Sequence, residues 1–139
     1  MSPLSLELAL ILAYNGASGN TSKEIGKALG LPEGKKDSLS SAEAIIKLFR
    51  DTTNVTLNIA NGIFLHDNYK VKQGYVDSSK KYLSAEAQKV NFGKSQEAAK
   101  TINGFVDQHT NHKITELFAS GKFLAHFFFF FLLNYQKVI

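Results

Sequence analysis

The sequence offers lysines, one arginine and four histidines as candidates for binding or catalysis, and it contains no cysteine. The lack of cysteine excludes a thiolate nucleophile, a disulfide framework and any cysteine-based zinc or iron–sulfur site. His109 and His112 have a His-x-x-His spacing, but no third ligand lies nearby in the sequence, so we interpret them as solvated surface residues. We find no phosphate-binding glycine loop, nucleophile elbow or paired-carboxylate signature. The sequence therefore predicts a protein that is not an enzyme and that has neither a cofactor nor a metal.

A cluster of basic residues is the strongest candidate binding surface. Lys35 and Lys36 lie in a predicted polar loop, and Lys47 and Arg50, three residues apart, lie on the helix that follows. Such a strip could hold sulfate or carboxylate groups through charge-assisted contacts. The competing interpretation is an ordinary solvated face, diluted by Glu43 and Asp51.

Two asparagines offer a different kind of chemistry. Asn20 and Asn54 each begin an Asn-x-Ser/Thr triplet, the acceptor pattern for N-glycosylation, and both are predicted to lie at turns. These triplets have a role only if the protein is secreted. No signal peptide is predicted, since Met1 is followed directly by Ser2-Pro3 without a basic segment or a cleavage site.

The length of 139 residues fits one domain, and the composition changes near the end of the chain. The net charge of +4 falls short of a nucleic-acid-binding signature, so no nucleic acid partner is expected. Residues 2–119 carry a mixed composition, whereas residues 120–139 form a Phe-rich hydrophobic tail. The apolar run at 123–133 is interrupted by His126 and is shorter than the roughly 20 residues that cross a bilayer, so a membrane anchor is not the favoured interpretation.

Three helices are predicted in the first fifty residues. Ser2 before Pro3 has the pattern of an N-cap, and the apolar stretch that follows, at 4–14, predicts a helix buried on most faces. A capping box at Thr21 to Glu24 should begin a second helix, and Gly30 should end it. A second capping box, Ser40 to Glu43, should begin a third helix whose predicted inner face carries Ala44, Ile45, Leu48 and Phe49.

The middle of the chain alternates strands with helices. Apolar residues with a period of two predict a long strand at 55–65 in a sheet covered on both sides. A fourth helix should carry Tyr75 and Leu83, and a second strand should follow at 85–92. Ser95 should cap a fifth helix, whose apolar stripe is Ala98, Ala99, Ile102, Phe105 and Val106.

This order of elements, together with the short sequence motifs within them, resembles the N-terminal part of the serpin family. The segment 2–21, with Ser-Pro-Leu-Ser-Leu and Leu-Ala-Tyr-Asn-Gly-Ala-Ser-Gly-Asn-Thr, is similar to the family's helix B running into helix C. Ala-Asn-Gly-Ile-Phe-Leu at 60–65 is similar to strand 2A, and Val-Asn-Phe at 90–92 is similar to strand 1A. The segment 99–114 resembles helix F and its exit. The resemblance covers residues 2–118.

The resemblance implies an α+β fold, a serpin-like N-terminal subdomain in which about five helices pack with two antiparallel strands of sheet A. It places Ser2, Pro3 and Ser5 in the shutter region under that sheet, although a helix cap and small packing residues explain them equally well. It also equates residues 40–53 with helix D, which binds heparin-like polyanions in some members. The family is extracellular in many members, and its intact partner is a serine protease.

The departures from the family pattern bear on function. In intact members a protease cleaves the reactive loop, which then inserts into sheet A as a new strand. Here no reactive loop is found, and the Phe-rich tail stands where strand 3A is expected. We therefore expect a truncated, non-inhibitory serpin fragment, with residues from Gly121 onward encoded by a translated intron or a frame error. The alternative is an interaction module that pairs the open edge of strand 2A with another serpin or binds a polyanion.

Overall fold

The computed structural model describes residues 3–51, 55–119 and 128–138, with side chains for 3–51 and 60–119. Five helices and three strands follow one another as α1 (Pro3–Gly16), α2 (Gly19–Ala28), α3 (Lys35–Arg50), β1 (Val55–His66), α4 (Gln73–Leu83), β2 (Ala85–Val90), α5 (Ser95–His109) and β3 (Phe128–Val138). The predicted α+β class with five helices is confirmed. The predicted pairing of the strands is not.

The sheet has three strands in the order β2-β1-β3. β1 and β2 are parallel, with Asn61 opposite Ala85 and His66 opposite Val90, so the prediction of an antiparallel pair is wrong. α4 carries the chain from the end of β1 back to the beginning of β2, which is the crossover that parallel neighbours need.

The third strand comes from the Phe-rich segment. β3 runs antiparallel to β1 along nearly its whole length, from Val55 opposite Val138 to Leu65 opposite Phe128. The far edge of β1 is therefore covered, and the expectation of a two-stranded sheet with an open β1 edge is wrong.

One face of the sheet packs against three helices. Ile63 and Leu65 of β1, both buried, join a cluster with residues of α1, α3 and α4, among them Leu8, Leu12, Leu39, Ile46 and Leu83. Period-two alternation sends the neighbouring side chains, Ala60 and Phe64, to the other face. We call the first face the three-helix face.

On the opposite face the packed helix, within the described residues, is α5, and Phe118 packs beside it; we call this face the single-helix face. Its cluster joins Ala60 and Phe64 of β1 with Val90 and Phe92, and the apolar stripe of α5 completes it. The five predicted stripe residues of α5 are all buried, so that prediction is confirmed: Ala98, Ala99, Ile102, Phe105 and Val106.

α2 and α3 begin earlier than their capping boxes predict. α2 begins at Gly19 after Ser18, so Thr21 and Glu24 lie inside it, and α3 begins at Lys35 after Gly34. Gly30 ends α2 as predicted, with φ at +61°. Neither helix has a side-chain hydrogen bond from its N-cap residue, so the two capping-box predictions are wrong.

The buried face of α3 is also different from the predicted one. Leu39, Ala42 and Ile46 are buried, whereas Leu48 is 70% exposed and Phe49 39% exposed. α1 likewise buries one side, with Leu8, Ile11, Leu12 and Tyr14, while Leu6 is 52% exposed. The prediction that α1 is buried on most faces is wrong for this part of the fold.

Candidate functional site

α5 and the middle of β1 make a very close contact. At Gly62 an added Cβ would lie 2.8 Å from the ring of Phe64 and 3.0 Å from that of Phe105. The rings of Phe64 and Phe105 meet edge to face, with centroids 5.6 Å apart. Glycine at position 62 is what lets α5 approach the sheet this closely, because any side chain would displace an aromatic ring.

Beside Gly62, a fully buried amide lies in the strand. The Asn61 side chain has no exposed surface, and its Nδ2 donates to the carbonyl of Leu83 at 2.5 Å. This bond connects β1 to the end of α4. Among the residues that the structure describes, no group is a hydrogen-bond partner of Asn61 Oδ1.

Polar side chains fasten the segment that leaves α5. Thr110, fully buried, donates from Oγ1 to the carbonyl of Val106 at 2.8 Å and accepts from the amide of Ile114 at 3.0 Å. Asn103 accepts from the amides of Leu117 and Phe118 and donates to the carbonyl of Phe118, all within 3.0 Å. Directly after Thr110 the chain turns through left-handed backbone conformations, with φ near +50° and +60°, at Asn111 and His112.

The two histidines of the His-x-x-His pair are separated by this turn and each faces a carboxylate. His109 Nδ1 lies 2.8 Å from the carbonyl of Phe105, and its Nε2 lies 3.6 Å from the Glu86 carboxylate. His112 Nδ1 lies 2.8 Å from Asp107 Oδ2. Within the part of the chain that the structure describes, no group of three or more His, Cys, Asp or Glu side chains is placed to hold a metal ion.

The four basic residues proposed as a strip do not all lie together. Lys35 is not in a loop but in the first turn of α3, where its Nζ donates to the carbonyls of Asn15 and Ala17 at the end of α1. It is therefore occupied as a cap for α1. Lys36, also helical rather than in a loop, is exposed, as are Lys47 and Arg50, and their spacing places these three on one side of α3.

The other predicted site residues are only partly placed. Pro3 is exposed and Ser5 half-buried in the first turn of α1, a helix that lies against β3, while Ser2 is outside the described residues. Asn20 is exposed in the first turn of α2, so its predicted turn position is wrong. Asn54 is also outside the described residues.

Tyr75 joins α4 to α1, and its acidity is altered by its surroundings. Burial raises the pKa of Tyr75 to about 12, an effect partly offset by its hydrogen bond with Ser79. Its hydroxyl lies 3.5 Å from the carbonyl of Leu12, and nearby Asn15 Nδ2 donates to the hydroxyls of Ser78 and Ser79. Burial keeps the phenol neutral to high pH, and these hydrogen bonds fix the end of α1 against α4.

Sequence reasoning missed Asn61, Asn103 and the capping role of Lys35. The available signal for Asn61 was that it interrupts the alternating apolar positions Ile59, Ile63 and Leu65 of β1. No such local signal exists for Asn103 or Lys35, since each bonds to a carbonyl that is remote in the sequence.

Comparison with known proteins gives a consistent result. The profile of the serpin family, described as serine protease inhibitors, matches residues 1–135. Neuroserpin of Gallus gallus is 32% identical over 130 residues, covering 88% of this chain and 30% of that protein.

Two solved structures have the same fold. A serpin of the insect Tenebrio molitor, described as highly specific, superposes with a TM-score of 0.86 at 24% identity, over 99% of this chain and 38% of that one. An Arabidopsis serpin in its native stressed conformation gives a TM-score of 0.88 at 22% identity, over 98% and 36%. The chain thus spans about a third of the length of the relatives it matches. No helix in the described ranges is long and apolar enough to cross a membrane.

Proposed function

The chain belongs to the serpin family, and from that premise we propose that its 139 residues supply one side of the family's central sheet but do not by themselves inhibit a serine protease. Serpins are, as a family, inhibitors rather than enzymes. The observation that carries the proposal is the sheet itself. β1 is enclosed between β2 and β3, so an added strand must pair at the outer edge of β3 or of β2.

The outer edge of β3 is the better acceptor for a strand. β3 has eleven residues against six in β2, and it pairs with β1 over the full length of the strand. A longer edge offers more unpaired backbone N–H and C=O groups to an incoming strand. Insertion of a cleaved reactive loop, which the resemblance implies, adds a strand to this kind of edge. The sequence analysis expected the added strand to pair with the edge of β1, the strand that resembles strand 2A. We now propose the outer edge of β3 instead.

An inhibition assay tests the first part. The 139-residue chain is incubated with trypsin, with an intact inhibitory serpin as positive control. We expect no SDS-stable complex and no loss of trypsin activity, because we assign no reactive loop to these residues. A covalent complex between this chain and trypsin would overturn the proposal.

Strand addition is tested with a labelled reactive-loop peptide from an intact serpin. We expect saturable binding in fluorescence anisotropy, and weak or no binding for a scrambled peptide of the same composition. Equal binding of both peptides would show non-specific association with apolar surface and would contradict the proposal. Co-purification with an intact serpin that the same peptide displaces would extend the result to a whole serpin partner.

A second candidate function is the binding of a heparin-like polyanion by α3. Lys36, Lys47 and Arg50 are exposed on one side of the helix, but Glu43 lies between them and Lys35 is committed to α1. We expect modest retention on heparin that falls for Lys47→Ala with Arg50→Ala. The matched control is Lys23→Ala with Lys27→Ala on α2, which changes the net charge equally. An equal loss of heparin retention for both pairs of substitutions would show that retention depends only on net charge and would contradict a specific site on α3.

The proposed location is extracellular, as the resemblance implies, with Asn20 as a glycan acceptor. Its exposure in the first turn of α2 supports this part of the proposal. Secretion of the chain behind a heterologous signal peptide, followed by a mobility shift on glycosidase treatment, tests it. Asn20→Gln should remove the shift.

A further inference from the structure

A cavity of about 780 Å³ lies where α1 ends and where α3 and α4 begin. Small-molecule sites have volumes of roughly 300 to 1,000 Å³, so this cavity has the size of one. Among the described residues that line it, Lys35 and Lys72 are basic and none is acidic. These lining residues lie outside the sheet, so the proposed strand addition uses other groups.

The first argument for a ligand is the Lys35 ammonium on the cavity wall. Its Nζ donates to the carbonyls of Asn15 and Ala17, and both of these residues line the cavity as well. An ammonium has three N–H donors, so these two bonds leave one donor for a ligand. In the part of the chain that the structure describes, no carboxylate forms an ion pair with this half-buried lysine. A bound anion would supply the missing counter-charge.

The Lys35 ammonium is already held in place before a ligand arrives. Besides the two carbonyls, the ring of the buried Tyr14 lies close to it, with its centroid 5.8 Å from Nζ. A side chain that is already ordered loses little further conformational freedom on binding. The free energy gained from an anion is therefore not spent on ordering Lys35.

The second argument is the aromatic wall beside this ammonium. The Tyr75 ring packs against Gly16, where an added Cβ would lie 3.1 Å from Tyr75 Cε2. Gly16 lies between the two residues whose carbonyls bind Lys35, so the ring and the ammonium are neighbours on the same wall. A fixed ring next to a fixed cation favours a ligand that has an apolar part next to its anionic group.

The rest of the cavity agrees with such a ligand. Ala13 and Val71 add apolar surface to its lining. At Gly74 an added Cβ would meet no atom within 4 Å, so the space above the first turn of α4 is open. A bare inorganic ion would leave this apolar surface in water, whereas a hydrocarbon group would cover it.

Lys72 gives the cavity a second cation at its rim. It is the N-cap residue of α4 and is exposed. Within the described ranges its side chain takes part in no ion pair. Because the side chain is long and exposed, it can turn over the opening toward an anion held by Lys35. Two positive charges in a concave site without acidic lining attract anions.

We propose that this cavity, which we call the α1-end cavity, binds a small apolar carboxylate. The carboxylate accepts hydrogen bonds from Lys35 and Lys72, and the hydrocarbon part lies against Tyr75, Val71 and Ala13. The ligand class follows from the ordered ammonium and the aromatic ring that lie side by side.

Three probes test the ligand class. 3-Phenylpropanoate has the charge and the hydrocarbon group, 3-phenylpropanamide has the same shape without the charge, and acetate lacks the hydrocarbon group. Binding to the full chain is followed by NMR through the backbone amides of Gly16 and Gly74, which line the cavity. We expect saturable binding of 3-phenylpropanoate, about tenfold tighter than that of either other probe. Absence of saturable binding, or equal binding of the amide or of acetate, overturns the proposal.

Three lysine variants test the placement. Lys35→Met keeps most of the aliphatic stem and should weaken 3-phenylpropanoate binding about tenfold, to the affinity of the neutral amide. Lys72→Met removes the rim charge without touching α1 and should weaken binding about threefold. Lys36→Met is the matched control, because Lys36 is exposed on the same helix as Lys35 and lies outside the cavity lining, and it should leave binding unchanged.

The outcomes separate a specific site from a general charge effect. Retained affinity in a folded Lys35→Met protein overturns the assignment, as does a loss in Lys36→Met equal to that in Lys72→Met. Urea denaturation checks that each variant is folded. If Lys35→Met does not fold, Lys72→Met and Lys36→Met decide, and equal affinities of these two variants overturn the assignment.

Discussion

The two faces of the sheet are built differently. On the three-helix face, apolar side chains of α1, α3 and α4 interlock around Ile63 and Leu65. On the single-helix face, the described residues that cover Phe64 come from α5, and the chain beyond α5, with Phe118 packed on this face, is held by the hydrogen bonds of Asn103 and Thr110. The first face is stabilised by apolar side chains from three helices. The second depends on a few named residues, so single substitutions there should be more informative.

The largest expected effect comes from the ring that α5 covers. Phe64→Ala should lower the free energy of unfolding by about 3–5 kcal/mol, because Phe64 has no exposed surface and packs edge to face on Phe105. Urea denaturation measures the change. Leu48→Ala, at a side chain 70% exposed, is the control and should stay within about 0.5 kcal/mol. A loss at Phe64 no larger than at Leu48 would contradict the assigned core of this face.

The close approach of α5 can be tested by adding a single methyl group. Gly62→Ala should destabilise the protein by about 1–3 kcal/mol, since its Cβ would meet two aromatic rings at 3.0 Å or less. Gly74→Ala is the matched control, because a Cβ there meets no atom within 4 Å, and it should be neutral or slightly stabilising. Thermal unfolding of both variants gives the comparison. Equal melting temperatures would mean that α5 moves away without cost.

The polar fastening beyond α5 should show up as local opening. Asn103→Ala removes three hydrogen bonds to Leu117 and Phe118 and should cost about 1–2 kcal/mol. Amide hydrogen exchange at Leu117 and Phe118 should accelerate, while exchange at Leu8 and Leu12 in the three-helix face stays slow. Uniform acceleration at all four amides would show that the two faces unfold together.

A smaller effect is expected where α3 caps α1 on the three-helix face. Lys35→Met keeps most of the aliphatic stem but removes the donor to Asn15 and Ala17, and should cost about 1 kcal/mol. Lys36→Met is the control, since Lys36 is exposed one position along the same helix. Chemical denaturation of the pair measures the difference. Equal stabilities would show that the α1 carbonyls are solvated equally well by water.

Substitution of Tyr75 should change stability least near neutral pH, and its effect should become distinct at high pH. Its folded-state pKa, about 12, exceeds the ordinary value of 10.0, so stability is fully present below pH 10 and falls as the pH rises toward 12. Tyr75→Phe should flatten that alkaline loss. Stability measured between pH 8 and 12 tests this, and identical slopes for both proteins would contradict the assignment.

Regular periodicity explains what the sequence predicted well. The alternation in β1 and the apolar stripe of α5 were correctly predicted, because in each element the apolar residues recur with the period of that element and are the residues that become buried. α3 was misassigned because apolar side chains occur all round it, and periodicity does not say which of them a neighbour will cover. Leu48 and Ile46 are equally hydrophobic, yet one is exposed and the other buried.

The errors in the sheet have a different origin. Strand direction depends on the connection rather than on the strands, and the helix between β1 and β2 was already the signal for a parallel pair. The Phe-rich segment was set aside on composition, although it pairs with β1 as β3 and the family profile extends to residue 135. An intron origin for residues 120–139 stays a prediction that only the gene sequence can test.

The position of β1 in the middle of the sheet also affects the order in which the molecule can be assembled. Its partner β2 follows after a single helix, whereas β3 is the last described element. Ribosomes add about 5–20 residues per second, so a nascent chain has one bare β1 edge for several seconds after β2 has emerged. Contacts between distant segments also close slowly, because the intervening loop must be ordered first. During synthesis, the unpaired edge of β1 is therefore exposed until β3 is made, and a chaperone that binds the nascent chain should act in this interval.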